Sequence, residues 1–289
     1  PLAPAERLSV TFHGAESAVA LWLNGTYIGY GTDSFTPSEF DVTDAVVPGV
    51  NRLAAQVFMW TSGSWLEDQD FYRFSGIFRD VVLYRRPPAH VEDLRVRTDV
   101  APDGATAEVV VAIDLVGEGS VTARLEGVGE LTSRADGTFG IRLDDPVLWS
   151  PEHTHLYDLA VEVRDAAGTL VEVTGHAVGI RRFAIEDGVL KLNGTRVVFF
   201  GVNRHEFGLN FRVVTRAEID ADLRALKRVG VNAVRTSHYP NRTAFYELAD
   251  RYGLMVIDEM NLESHGLWDR IRWQGIGVED AVPGDKPEW

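Results

Sequence analysis

The 289 residues can bury sizeable cores, and length alone predicts about two domains. At 45% hydrophobic, 25% charged and 10% aromatic the chain has a globular composition, and its net charge of −15 opposes nucleic-acid binding, which depends on neutralising phosphates. No apolar run approaches the 18 or so residues of a membrane span, no basic and apolar leader is visible, and the absence of cysteine excludes disulfides and thiolate metal sites. A cytoplasmic location is the expectation from that set, with no nucleic-acid and no membrane partner.

Residues 1–88 read as β. Val19–Leu23 and Leu53–Phe58 are short apolar runs separated by turn residues, and LWLNGTYIGY carries the Asn24-Gly25 signature of a tight hairpin. Many short strands without a helical pattern predict a sandwich or jelly roll. After Pro87-Pro88, residues 89–183 are β again, with alternation in 107–113 and 156–163, enough for one immunoglobulin-like sandwich lacking the usual cysteine pair.

From about 184 to 289 the pattern changes. Val197–Phe200 is a solid apolar run, predicted as a strand covered on both faces. Thr215 and Glu218 form a capping box, Ile219, Leu223, Leu226 and Val229 follow at helical spacing, and Gly230 stops the helix. A strand over 231–236, a helix over 241–252 ended by Gly253 and a strand over 254–258 complete a βαβαβ run, which predicts a parallel sheet. The fold class expected is therefore multi-domain β plus α/β: a jelly roll, an immunoglobulin-like sandwich and the first three or so β/α units of a TIM barrel.

Polar residues collect where these last strands end: Asn203-Arg204-His205-Glu206, then Arg235 to Tyr239, then DEMNLESHG over Asp258–Gly266. One such cluster reads as a solvated loop; three in register, each with a histidine, read as a site on the face where (β/α)₈ barrels carry theirs. Taken singly, His205 and His238 could satisfy neighbouring carbonyls, Arg235 could simply pair with Asp258 or Glu259, and Glu263 and His265 could face solvent. In an extended segment Glu263 and His265 point the same way, a half-site for a hard divalent cation such as Mg²⁺. The stretch from Trp65 to Asp80 interleaves aromatics with acids, as a sugar-binding loop or a loop buried between domains would.

Over essentially its whole length the chain resembles the large bacterial β-galactosidases of glycoside hydrolase family 2, on the motifs FHGAESAVALWLNG, DSFTPSEFDVTD, LEDQDFYRFSGIFRDVVL, LWSPEHTHLY, GVNRHE, NAVRTSHYPN and DRYGLMVIDEMNLESHG. The resemblance implies a sugar-binding jelly roll, an immunoglobulin-like domain and a TIM barrel. It implies that Asp80 touches galactose and a Na⁺, that His205 and His238 bind galactosyl hydroxyls, that Arg235 orients the nucleophilic carboxylate, and that Glu263 and His265 hold Mg²⁺. The reaction implied is retaining hydrolysis of terminal β-galactosides such as lactose, by an intact enzyme that could be a homo-oligomer. That chemistry needs two carboxyl groups about 5 Å apart. The family's Asn-Glu-Ser motif does not occur here, so the expectation is an internal fragment, truncated at both domain ends and inactive alone. Two departures stand out: Phe207 to Arg212 replaces a usual His-Pro segment, with Phe211 at a usual glycine, and the second domain lacks the long insertion of tetrameric members. The alternatives are a non-catalytic carbohydrate-binding protein and another family 2 glycosidase, β-glucuronidase.

Overall fold

The computed structural model describes residues 5–275 and 277. In the first unit Arg7–Phe12 lies between Ser38–Asp41 and Val81–Arg86, and Ala18–Leu23 lies between Thr26–Thr32 and Leu53–Phe58, all antiparallel. Phe12, Val19, Leu21, Phe40 and Val42 form the core of this unit. Each large apolar side chain buried there contributes roughly 1.5–3 kcal/mol. The predicted hairpin forms, with Asn24 and Gly25 at φ of 53° and 85°, as a type I′ turn requires.

The second unit is a sandwich of two four-stranded antiparallel sheets. His90–Val100, Thr106–Val116 and Phe139–Asp144 lead one, and Gly119–Leu125, Tyr157–Asp165 and Leu170–Val178 lead the other. Residues such as Val109, Val111, Leu125, Leu159 and Val161 turn inward and close the core, while Asp158 and Arg124 on the other face stay exposed.

A small antiparallel sheet (Phe183–Glu186, Val189–Leu192, Thr195–Arg196) leads into the third unit. Its parallel sheet runs in chain order through Gly201–Arg204, Ala233–Thr236 and Met255–Ile257, here called barrel strands one to three. Helices α1 (Arg216–Arg228) and α2 (Thr243–Tyr252) pack on it through Ile219, Leu223, Phe245, Leu248 and Ala249. The capping box at Thr215 and Glu218 is formed, and Gly253 closes α2 in the left-handed conformation.

Two expectations are corrected. Val197–Phe200 is not a strand; the first barrel strand begins at Gly201. Asn232 takes the backbone of the apolar run instead, accepting from Phe200 N at 2.8 Å and donating to Val198 O at 2.9 Å, and Phe200 is 66% exposed rather than covered. The segment at Glu263 is also not extended through His265: Glu263–Ser264 is a two-residue strand, and His265 opens a third helix, α3 (His265–Gln274), that the sequence pattern did not announce.

The first and third units are joined by buried polar contacts. Arg79 reaches Glu206 at 2.8 Å and the carbonyls of Phe35 and Pro240 at 2.7 and 2.8 Å. Arg212 pairs with Glu16 inside a cage of Phe35, Phe71, Phe74 and Phe78. Phe35 stacks on Tyr239 with ring centroids 3.8 Å apart. The short strand Glu67–Asp68 pairs in parallel with Glu263–Ser264, so a loop of the first unit lies along the end of the barrel sheet.

Candidate active site

The parallel register places Asn203 opposite Arg235 and Arg235 opposite Ile257, which brings the three polar strand ends side by side. His205 follows strand one. Its ring stacks on Phe207 (5.3 Å, 10°) and meets Phe71 and His238 edge-on, each at 5.7 Å. Burial holds its imidazole below the ordinary value of 6.5; the His238 charge acts the same way, and Glu263 and Asp70 oppose it.

The two rings have different hydrogen-bond partners. Tyr239 is fully buried, and burial pushes its phenol up to about 12, so it stays neutral. Its oxygen accepts from Glu206 N at 3.0 Å, leaving its proton for His205 Nδ1 at 3.4 Å. Neutral His205 then carries hydrogen on Nε2, a donor. His238 Nδ1 lies 3.0 Å from Glu259 Oε2, a carboxylate that only accepts. The hydrogen of neutral His238 is thereby on Nδ1, and its Nε2 is an acceptor.

Glu259 serves two partners, since its other oxygen accepts from Arg235 Nε. The guanidinium also approaches Asn203 Oδ1 at 3.5 Å. In this arrangement Arg235 is the partner of Glu259, one of the two acids named for it from sequence. Asp258 turns elsewhere, accepting from Thr236 Oγ1 at 3.0 Å and from Tyr246 Oη at 2.7 Å.

Glu263 and His265 do meet, though through a strand-to-helix turn: His265 Nδ1 is 2.9 Å from Glu263 Oε1. That hydrogen bond holds the His265 imidazole above its ordinary value. Glu263 Oε2 is buried without a hydrogen-bond partner, the condition that a bound cation would relieve. Asp70 Oδ1 stands 3.8 Å from His265 Nε2. Among the described residues no three His, Asp or Glu side chains converge as a complete metal site, so this edge supplies two donors.

Asp80 is not brought to this cluster. Its carboxylate is bound by the Arg242 guanidinium, in a cleft of about 510 Å³ beside the start of α2 that holds His13, Arg216, Glu247 and Asp258 but none of His205, His238, Glu263 or His265. The Arg242 guanidinium takes one oxygen of the Asp80 carboxylate, Oδ2. The residue of the first unit that does face the histidines is Asp70, whose charge reaches both His205 and His265. It lies in the same LEDQD stretch that stood out for its acids, and no period in that irregular loop distinguishes it from its neighbours. Glu67, three residues before, is half-buried and its carboxyl is raised to about 7, desolvation outweighing hydrogen bonds from Ser34 N and Oγ at 3.1 and 2.6 Å.

Comparison with known proteins agrees with this layout. Residues 3–87, 89–181 and 183–289 match the models described as glycosyl hydrolases family 2, sugar binding domain; glycosyl hydrolases family 2; and glycosyl hydrolases family 2, TIM barrel domain. A β-galactosidase of Halalkalibacterium halodurans is 45% identical over 98% of this chain, and one of Streptococcus thermophilus is 42% identical over 98%. The chain spans 29% of the length of each. Among solved structures, Bacteroides uniformis β-glucuronidase 3 superposes with a TM-score of 0.78 at 24% identity, covering 89% of this chain and 35% of that one, a likeness of fold. On these matches across its length, the chain belongs to glycosyl hydrolases family 2.

Proposed function

We propose that this chain forms the galactoside-binding edge of a retaining β-galactosidase. The observation that carries the reading is the pair of imidazoles 5.7 Å apart, His205 Nδ1 on a phenol and His238 Nδ1 on a carboxylate, from which we infer that His205 Nε2 is a donor and His238 Nε2 an acceptor. A sugar hydroxyl both donates and accepts, so such a pair can hold neighbouring hydroxyls of a pyranose without any net charge. Phe207 and Phe71 give His205 apolar flanks that keep water from its ring. Asp70, largely exposed beside them, is an acceptor for a further hydroxyl.

Glu263 and His265 would hold Mg²⁺, and Glu263 Oε2 is the unsatisfied oxygen it would meet. A bound divalent ion supplies fixed positive charge beside the reacting carboxyl groups. Arg235 and Glu259 fix each other at the neck of strands two and three, and Glu259 in turn orients His238. The pair of carboxyl groups that retaining hydrolysis requires is assigned to no residue of this chain.

A galactoside suits the site better than a glucuronide. A uronic acid brings a carboxylate that calls for a cationic partner, and Arg235 is already bound to Glu259. The 40–45% identical relatives are named β-galactosidases, which supports the same choice. Titrating the chain with isopropyl β-D-thiogalactoside while observing the histidine rings by NMR tests the reading. His205 and His238 are expected to move together, and methyl β-D-glucuronide to leave them still; a galactoside titration that moves neither ring overturns it.

A further inference from the structure

Gln69 sits in the loop that the sugar-binding unit lays along the barrel, and it is 8% exposed. Its Nε2 donates to the His238 carbonyl at 3.3 Å and to Asn261 Oδ1 at 3.1 Å. Asn261 in turn donates through Nδ2 to Asp33 Oδ1 at 3.1 Å. Both ends of this chain of contacts are acceptors only: a carboxylate at Asp33 and a backbone carbonyl at His238. The Asp33 carboxylate fixes which way the Asn261 amide faces, and the Asn261 oxygen with the His238 carbonyl fixes the Gln69 amide. No alternative flip of either amide keeps these bonds.

One consequence is an unsatisfied atom. Gln69 Oε1 is buried with no donor, a deficit that ordinarily costs about 1–3 kcal/mol. A fold that tolerates it has set the amide by its two N–H bonds rather than by its own saturation. Those bonds join the ends of barrel strands two and three, on which His238 and the Glu263 segment sit, to the Asp33 loop of the first unit.

We propose that Gln69 is a positioning residue, which acts through the His238 backbone and Asn261 to hold the His238 ring and the Glu263 edge in register with the sugar-binding unit. This rests on the galactoside reading for its purpose, though not for its geometry. His238 receives its ring orientation from Glu259 and its backbone position from Gln69, so the imidazole is held from two domains at once. The parallel pairing of Glu67 with Glu263 lies two residues from Gln69 and from Asn261 and carries the same registration to the metal edge.

The test is Gln69→Met in the full 289-residue chain, which keeps side-chain length and removes both donors. The His238 ring resonances are expected to shift while those of His90, His153, His155 and His176, in the second unit, stay fixed. Affinity for isopropyl β-D-thiogalactoside is expected to fall about tenfold, the equivalent of one lost buried hydrogen-bond set. Asn261→Leu is expected to shift His238 less, and the double variant no more than Gln69→Met alone, because Asn261 acts through Gln69. A His238 resonance unmoved in Gln69→Met overturns the assignment, as do strictly additive shifts. Should Gln69→Met not fold, an unmoved His238 in Asn261→Leu overturns it equally. A parent chain that binds no galactoside removes the galactosidase reading, and the ligand-free His238 signal still decides the role of Gln69.

Discussion

His205 and His238 differ in what surrounds each nitrogen, and that difference is measurable. Tyr239 Oη beside His205 Nδ1 and Glu259 beside His238 Nδ1 predict opposite tautomers, Nε2–H for His205 and Nδ1–H for His238, distinguishable by ¹⁵N shifts of the rings. The folded value of His205 lies below 6.5 because burial disfavours its charged form. The stability tied to its neutral state is fully present above the unfolded value near 6.5 and is lost as the pH falls through the folded value. An NMR titration is therefore expected to show His205 ionising below the ordinary imidazole value of 6.5; a midpoint at or above 6.5 contradicts this account. His205, Arg235 and His238 could be placed together because strand ends in a parallel sheet share a face, whereas Glu263 and His265 meet through a strand-to-helix turn that the sequence read as extended. Asp80 was named on its motif and Asp70 was not, since in that irregular stretch no two-residue or helical period fixes side-chain direction.

Elements with local signals were read at nearly their true bounds. The α1 capping box and the glycine after α2 are short-range chemistry, independent of the rest of the fold. The two-residue strands at Glu67 and Glu263 were invisible because they exist only by pairing across domains, and α3 lacks a clean apolar stripe, with Leu267 its buried residue. Gly253 shows how an element boundary can also be a domain contact. Its φ is 72°, and a Cβ there would stand 2.4 Å from the Pro151 carbonyl of the sandwich. Gly230, with φ of 85°, has nothing within 4 Å of the same atom. Gly230→Ala is thus expected to cost about 1–2 kcal/mol, the strain of the left-handed backbone alone. Gly253→Ala adds a steric conflict of about 1–3 kcal/mol. Urea unfolding of the two variants checks this, and equal losses would show that the sandwich yields freely at Pro151.

At the scale of the whole molecule, docking of the sugar-binding unit on the barrel unit is what brings Asp70 and Phe71 to the histidines. Arg79 and Glu206 hold that junction with side chains 3% and 2% exposed. Glu206 also accepts from Arg242 N at 3.0 Å, while the Arg79 guanidinium donates to the carboxylate and to two carbonyls at once. Arg79→Met leaves the buried Glu206 carboxylate without its cation, keeping only the Arg242 N–H bond, and takes a donor from two carbonyls, for which a loss of about 3–5 kcal/mol is expected. Replacing both charges, as in Arg79→Met with Glu206→Leu, removes the stranded carboxylate and is expected to recover part of that loss. Because the pair bridges two units, the single variant is also expected to split unfolding into separate steps, the first unit releasing before the third. Tryptophan fluorescence and far-ultraviolet circular dichroism, followed together through a urea titration, would then part company. Coincident transitions in Arg79→Met would place the docking energy elsewhere, with the Arg212 cage as the contact to test next.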